Sequence, residues 1–175
     1  MKITKTALPG VLLLEPLIFE DTRGWFMESW TKKHLPEFNF VQDNHSYTRD
    51  KGTIRGIHFQ LEPWAQTKLV RCTQGVVLDV AVDLRKNSPT FKQWVAVGLS
   101  SANKRQLLIP KGFGHGFLTL TNDVEFQYKT DNFYSPAHDR AIRYNDPELN
   151  ISWGAIDVTV SEKDGNAPFL KGVTL

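Results

Sequence analysis

The clearest pattern along the chain is an alternation of apolar and polar positions over residues 76–84. One face of this segment is wholly apolar and consists of Leu78, Val80, Val82 and Leu84. The opposite face carries Asp79, Ala81 and Asp83. Because side chains alternate between the two faces of a strand, this period of two predicts a β-strand. Its two aspartates either face water or line a polar pocket, and the periodicity leaves both readings open.

Short β-rich runs separated by turn signals make up most of the remaining chain. The turn signals lie at residues 21–24, 51–52, 86–89, 121–123, 134–136 and 145–147. Their fairly even spacing predicts an all-β sandwich or barrel. We favour a double-stranded β-helix, or jelly roll, because that architecture encloses a pocket inside a barrel.

Residues 31–38 are the one segment that favours a helix. Thr31 is a suitable N-cap for a short helix, although Pro36 restricts it. We therefore expect an all-β fold with short peripheral helices. The chain has 175 residues and contains no repeat, low-complexity tract or linker, so one domain spanning residues 1–175 is predicted.

Charge and cysteine content exclude several classes of protein. The net charge of +2 is too small to indicate a nucleic-acid binder, and no block of like charges forms a basic arm. Pro9 and Gly10 interrupt the apolar run near the start, so neither a signal peptide nor a membrane span is predicted. The single cysteine, Cys72, cannot form an internal disulfide, which favours a reducing, cytoplasmic setting. We expect this thiol to be buried and inert.

Two histidines in apolar, glycine-containing runs are the main candidates for chemistry. His58 belongs to the run RGIHFQ at residues 55–60, and His115 belongs to PKGFGHGF at residues 110–117. These runs resemble the two strand motifs of a cupin barrel, which would place both histidines in one pocket. A metal-binding cupin usually has a second histidine where this chain has Gln60, and an amide is a poor replacement for an imidazole ligand. We therefore expect no metal and histidines that are free for proton transfer.

Three further groups have either a chemical or an ordinary structural role on local evidence. The run 161–164 is a polar turn, unless its carboxylate hydrogen-bonds a histidine and fixes the tautomer. Tyr128 is typical of a half-buried strand aromatic, although a phenol can donate a proton to a carbanion. Three basic residues are either phosphate ligands or surface charges, namely Arg23, Arg55 and Lys68.

Taken together, these motifs resemble the dTDP-4-dehydrorhamnose 3,5-epimerase family of nucleotide-sugar epimerases. The resemblance covers nearly the whole chain, at residues 19–28, 42–46, 55–60, 66–70, 79–85, 88–91, 110–117, 128–129, 134–136 and 161–164. It implies a cupin barrel that removes a proton beside the ketone of a dTDP-sugar and returns it on the opposite face, inverting C3 and C5. It also implies that no cofactor is required and that the protein is a homodimer with exchanged N-terminal strands.

The resemblance also implies roles for individual residues. His58 would be the base, oriented by Asp164, while Tyr128 would be the acid and Lys68 would stabilise the enolate oxygen. The implied substrate-binding residues are Arg23, Phe26, Glu28, Gln42, Asn44, Arg55, Asp79, His115, Tyr134 and Lys163. The chain departs from the usual family pattern at Trp25, Phe133 and Gly154, and none of these belongs to the proton-transfer set.

Three alternatives remain open. A related enzyme of the same fold would invert only C3 or only C5, or act on another deoxysugar, and a ketoisomerase would be a further variant. A metal cupin would need a ligand set that Gln60 argues against. A sugar-binding cupin without activity would not need the complete set of His58, Tyr128, Lys68 and Asp164.

Overall fold

The structure is a computed structural model that describes residues 1–154 and 157–175. In chain order its strands are β1 (Lys2–Lys5), β2 (Leu12–Glu15), β3 (Phe19–Asp21), β4 (Gly24–Phe26), β5 (Gln42–Thr48), β6 (Thr53–Gln60), β7 (Lys68–Gln74), β8 (Val76–Asp83), β9 (Trp94–Ser100), β10 (Gln106–Ile109), β11 (Phe113–Thr119), β12 (Val124–Thr130), β13 (Asp139–Ala141) and β14 (Thr159–Val160). Helical structure in these residues consists of α1 (Glu162–Gly165) and a 3₁₀ turn at Leu170–Gly172. The expected all-β fold is confirmed.

Two sheets form the body of the molecule. The strand order is β1-β2-β10-β7-β12-β5 in the first sheet and β13-β6-β11-β8-β9 in the second. β14 adds to the second sheet by pairing in parallel with β6. β3 and β4 form a separate hairpin. Strand β5 is therefore an edge strand, and the β3–β4 hairpin lies outside both sheets.

Strand β8 is buried on both faces because it lies between two apolar cores. Val77 and Ala81 belong to a core that the two sheets share, together with Phe126 of β12. Val80 and Val82 belong to a second core, which the C-terminal part of the chain covers. The predicted strand and its alternation are confirmed. Removal of both faces from water gives this central strand a large hydrophobic stabilisation.

The helix predicted for residues 31–38 is wrong, because this segment forms turns. The His34 N–H donates to the Thr31 carbonyl oxygen at 3.1 Å, which closes a single turn. The ring of Pro36 disfavours a helical conformation at Leu35, and proline has no N–H to continue the pattern. In the part of the chain that the structure describes, no helix combines the length and apolarity needed to cross a membrane.

The single thiol lies inside the shared core. Cys72 belongs to β7 and is buried. Burial raises the pKa of this thiol to about 11, so almost none of it is thiolate at neutral pH. The expected burial of the cysteine is confirmed, and the raised pKa disfavours the thiolate, which is the nucleophilic form.

Candidate active site

A cavity of about 630 Å³ opens beside the shared core. Four strands and the short helix each contribute a polar side chain to its lining, namely His58 (β6), Lys68 (β7), His115 (β11), Tyr128 (β12) and Asp164 (α1). The fold thus brings together all four residues of the predicted proton-transfer set, although His58 and Asp164 are 106 positions apart in the chain.

His58 is paired with a buried carboxylate. Its Nε2 atom lies 2.7 Å from Asp164 Oδ1, and the Gly56 N–H donates to Asp164 Oδ2 at 3.2 Å. Burial opposes ionisation of Asp164, but the hydrogen bond and charge of His58 and the Gly56 N–H outweigh it. The pKa of Asp164 therefore lies below its ordinary value. The anion orients the imidazole by engaging Nε2 rather than Nδ1 and stabilises the ring when it takes up a proton.

Helix α1 holds this carboxylate in place. Ser161 is its N-cap, and the hydroxyl oxygen of Ser161 accepts the Asp164 N–H at 3.1 Å. Ser161 also lines the cavity. The run 161–164 is therefore more than a polar turn, because its cap fixes the residue that contacts His58.

A second histidine–carboxylate pair lies beside the first. His115 is directly opposite His58 across β6 and β11, and its Nε2 atom lies 2.8 Å from Asp79 Oδ1. Asp79 is fully buried and shares its strand face with Val77 and Ala81 of the shared core, so it faces the protein interior rather than water. It lies behind His115 rather than in the cavity lining, and among the described residues its Oδ2 has no hydrogen-bond partner. Asp83, on the same strand face, is also fully buried, and Arg85 donates to it at 2.7 Å.

Lys68 and Tyr128 are neighbours in the cavity. Lys68 Nζ lies 6.0 Å from the centroid of the Tyr128 ring and donates to the His58 carbonyl oxygen at 3.5 Å. Burial lowers the pKa of Lys68 to about 8, against the opposing charges of Asp139 and Asp79. Burial raises the pKa of Tyr128, and Asp139 adds to the effect. At neutral pH the cavity therefore holds a cationic ammonium group beside a protonated phenol.

Three predicted substrate contacts line the same cavity, namely Lys163, Tyr134 and Arg55. The first two each form a hydrogen bond with the carboxylate of Asp139. Lys163 Nζ lies 2.8 Å from Asp139 Oδ2, and the Tyr134 hydroxyl donates to the same oxygen at 3.5 Å. Arg55 Nε donates to Thr48 Oγ1 at 3.0 Å. Arg55 and Lys163 give this part of the lining positive groups suited to a diphosphate.

Sequence reasoning missed Asp139. This residue opens β13, a strand of three residues, which is too short to show a period of two. It reaches the cavity because β13 pairs with β6, where Asp139 is opposite Gln60. No local signal in the sequence identifies such a contact.

Gln42 and Asn44 lie on the edge strand β5, outside the cavity lining. Gln42 Nε2 donates to Asn44 Oδ1 at 2.9 Å. The Tyr134 N–H donates to Gln42 Oε1 at 3.2 Å. These two predicted contacts are therefore connected to the cavity through the loop that carries Tyr134.

Three other predicted substrate residues lie away from the cavity within the described chain. Arg23 and Phe26 belong to the β3–β4 hairpin, and Glu28 lies near Leu17 and His34. Phe26 is 65% exposed. The structure of one chain does not bring these three residues to the cavity.

The described residues offer no ready-made ligand set for a metal. Within residues 1–154 and 157–175, no group of three His, Cys, Asp or Glu side chains is placed to hold one ion. Gln60, at the position of the second cupin histidine, uses its amide for bonds to the backbone, including one to the Trp64 carbonyl oxygen at 2.6 Å.

A barrel cavity with a carboxylate-bound histidine, a cationic lysine and a protonated tyrosine defines an acid–base isomerase of the cupin type. The family model for dTDP-4-dehydrorhamnose 3,5-epimerase matches residues 5–172. The dTDP-4-dehydrorhamnose 3,5-epimerase of Shigella flexneri is 53% identical over 171 residues, which cover 95% of this chain and 94% of the relative. The chain belongs to the dTDP-4-dehydrorhamnose 3,5-epimerase family, and it is an enzyme.

Solved structures agree with this assignment. The crystal structure of a dTDP-4-dehydrorhamnose 3,5-epimerase from Bacillus anthracis, with TDP and PPi bound, has a TM-score of 0.93 and 50% identity, covering 97% of this chain and 99% of that one. A dTDP-6-deoxy-D-glucose-3,5-epimerase from Legionella pneumophila, in complex with dTDP-4-keto-L-rhamnose, has a TM-score of 0.94 and 44% identity, covering 99% and 94%. The expected cupin-type jelly roll is thereby confirmed.

Proposed function

We propose that this chain converts dTDP-4-dehydro-6-deoxy-D-glucose to dTDP-4-dehydro-L-rhamnose by inverting C3 and C5. The observation that carries the proposal is a cavity in which the His58–Asp164 pair, Lys68 and Tyr128 meet. Family membership over residues 5–172 supports the substrate class. The product-like sugar in the Legionella pneumophila structure supports the reaction.

His58 is the base in this proposal. A hydrogen beside the C4 ketone is acidic because the carbanion delocalises into an enolate. His58 Nδ1 takes that proton, since Nε2 is engaged by Asp164 at 2.7 Å. The carboxylate keeps the tautomer fixed and stabilises the imidazolium that forms.

Lys68 and Tyr128 complete the reaction. The ammonium group of Lys68 stabilises the enolate oxygen as negative charge develops on it. The Tyr128 phenol then gives its proton to the carbon from the opposite face, and the configuration inverts. Solvent afterwards removes the proton from His58 and restores the one on Tyr128. These steps balance without electron transfer, so neither a metal nor a redox cofactor is part of the proposal.

The nucleotide and diphosphate bind at the outer part of the cavity. Arg55 and Lys163 supply positive charge, and Tyr134 supplies an exposed ring for the base, supported by its 55% exposure. Binding energy from these remote groups orients the sugar at His58 and Tyr128. His115 forms the inner wall beside the sugar, and Asp79 behind it holds the imidazole through the contact of 2.8 Å.

A homodimer completes the site in this proposal. β1 pairs with β2, and β2 with β10, in the same chain, so the β3–β4 hairpin is the segment available for exchange. Its aromatic side chains Phe19, Trp25 and Phe26 are all more than half exposed, which is costly for a monomer. The partner's copy of this hairpin, with the residues that directly follow it, would bring Arg23, Phe26 and Glu28 to the substrate. Gln42 and Asn44 would contact the substrate from the edge strand β5. We assign this activity to one domain, residues 1–175, working in the cytoplasm.

Deuterium incorporation tests the proposal. Incubation of the chain with dTDP-4-dehydro-6-deoxy-D-glucose in deuterated water should give a product labelled at both C3 and C5, as read by NMR. The variant His58→Asn keeps a similar shape but cannot act as the base, so it should incorporate no label. Label at C3 alone, or at C5 alone, would identify a narrower epimerase of the same family. Absence of label in the wild-type chain would overturn the proposal.

A further inference from the structure

Gln60 is a buried polar residue at the end of β6, two positions after His58. Its side chain lines the cavity, and the residue is only 6% exposed. A buried amide must satisfy both N–H groups and its oxygen, or the fold loses stability. The partners that satisfy this amide therefore indicate which parts of the chain it connects.

In the part of the chain that the structure describes, the Gln60 amide bonds to backbone groups in two loops. Nε2 donates to the carbonyl oxygens of Trp64, at 2.6 Å, and Phe133, at 3.1 Å. Oε1 accepts the Ser135 N–H at 2.7 Å. Only one orientation of the amide places its N–H groups on two carbonyl oxygens and its oxygen on an N–H, so the assignment of nitrogen and oxygen is fixed.

Phe133 and Ser135 are the two chain neighbours of Tyr134. Gln60 therefore binds the peptide groups on both sides of the residue that carries the exposed ring. The Tyr134 ring itself is more than half exposed, and its hydroxyl donates a long hydrogen bond of 3.5 Å to Asp139. The position of this ring therefore depends on its backbone, where Gln60 binds the peptide groups on both sides and Gln42 accepts the Tyr134 N–H.

We infer that Gln60 is a positioning residue that fixes Tyr134 relative to His58. This inference rests on the proposed function, in which Tyr134 receives the base of the nucleotide and His58 acts on the sugar. Since Gln60 and His58 lie on one strand, the amide sets the separation between the two ends of the substrate site. The position that holds a metal ligand in other cupins serves here to hold a binding loop.

Two substitutions at Gln60 separate positioning from general stability. Gln60→Leu removes all three hydrogen bonds. Gln60→Glu keeps an acceptor for the Ser135 N–H but places a carboxylate oxygen against two carbonyl oxygens. For both variants we expect KM for the dTDP-sugar and Kd for dTDP to rise about tenfold, equivalent to about 1.4 kcal/mol. We expect kcat to change less than about threefold, because His58, Lys68 and Tyr128 are untouched.

An exposed control for the loss of a strand-to-loop hydrogen bond is available at Gln74. Its Nε2 donates to the Asp123 carbonyl oxygen at 2.9 Å, so it also ties a strand to a loop, but away from the cavity lining. Gln74→Leu should leave KM and Kd unchanged. If Gln60→Leu fails to fold by circular dichroism, Gln60→Glu alone decides the outcome.

A double-substitution cycle provides the decisive test. If Gln60 acts through Tyr134, Gln60→Glu should raise the Kd for dTDP in the wild-type background but not in a Tyr134→Ala background. An unchanged Kd in the first background, or an equal rise in both, would overturn the inference. Binding of dTDP is measured by calorimetry without turnover, so this result is independent of whether the proposed reaction is correct.

Discussion

At the scale of single residues, the charge state of the cavity follows from what each group touches. Asp164 is held as an anion by His58 and the Gly56 N–H, while burial keeps the Tyr128 phenol protonated. Lys68 is the group closest to changing its charge, because burial lowers its pKa to about 8. An enzyme that relies on this ammonium group should therefore be sensitive to alkaline pH.

We predict that kcat/KM falls as pH rises above about 8, approaching a tenfold loss per pH unit once Lys68 is deprotonated. A pH profile of kcat/KM measures this directly. Lys68→Met should have low activity at every pH and no alkaline limb at pH 8. A wild-type profile that stays flat from pH 8 to 10 would contradict the assignment of Lys68.

The deprotonation of Lys68 that lowers activity should raise the free energy of unfolding. The folded-state pKa of Lys68 lies below its ordinary value of 10.5, so the unfolded chain binds more protons between pH 8 and 10.5. The contribution of this residue to the free energy of unfolding therefore increases with pH in that window, and below pH 8 the cost of burying the ammonium is fully present. Urea denaturation of wild type and Lys68→Met across the window isolates this contribution.

Some site residues could be identified from the sequence, and others could not. His58 and His115 stand out because imidazoles are unusual in apolar, glycine-containing strands. Tyr128 and Asp164 look ordinary locally, and only the resemblance to a family singled them out. No local sequence pattern identified Asp139, because its place in the cavity depends on the pairing of β13 with β6.

At the scale of secondary-structure elements, the site depends on a close approach between β6 and β11. Gly56 has a φ of +130°, and a Cβ there would lie 2.5 Å from the Gly116 Cα and 2.8 Å from the His115 carbonyl oxygen. Both obstacles are backbone, so neither can move aside cheaply. This approach is what places His58 directly opposite His115.

We predict that Gly56→Ala lowers the free energy of unfolding by about 3 kcal/mol or more, because it combines a strained backbone with an overpacked contact. Gly98→Ala is the matched control. Gly98 also lies in a strand, but a Cβ there would meet nothing within 4 Å, so its effect should be within about 1 kcal/mol. Equal stabilities of the two variants in urea denaturation would refute the packing argument.

Element prediction succeeded where apolar and polar positions alternated regularly and failed where a helix was inferred from one capping residue. The alternation over β8 extends across eight residues and predicts a strand, but the burial of both faces is known only from the structure. Residues 31–38 have a helix-compatible composition, but Pro36 limits them to turns. Helix α1 has four residues, too few for a helical period, and its existence follows from the Ser161 cap and from packing against β6.

At the scale of the whole molecule, the β3–β4 hairpin lies away from the cavity of its own chain. Arg23 and Phe26 lie on β3–β4, outside the cavity.

We predict that light scattering shows a dimer at micromolar concentration, because isologous two-fold dimers are the commonest oligomers of soluble proteins. The double substitution Trp25→Ser and Phe26→Ser should weaken the dimer and raise KM, while His58-dependent chemistry remains. A wild-type monomer that is fully active at that concentration would contradict the exchange.

The central claim is that His58 and Tyr128 act on opposite faces of one enolate. Tyr128→Phe keeps the ring and removes only the proton, so it tests this claim most directly. In deuterated water, we predict that this variant still exchanges substrate hydrogen through His58 but forms inverted product about 10²- to 10⁴-fold more slowly. NMR that follows label and configuration separately measures both rates. Inverted product at the wild-type rate would contradict the account, because another group would then deliver the proton.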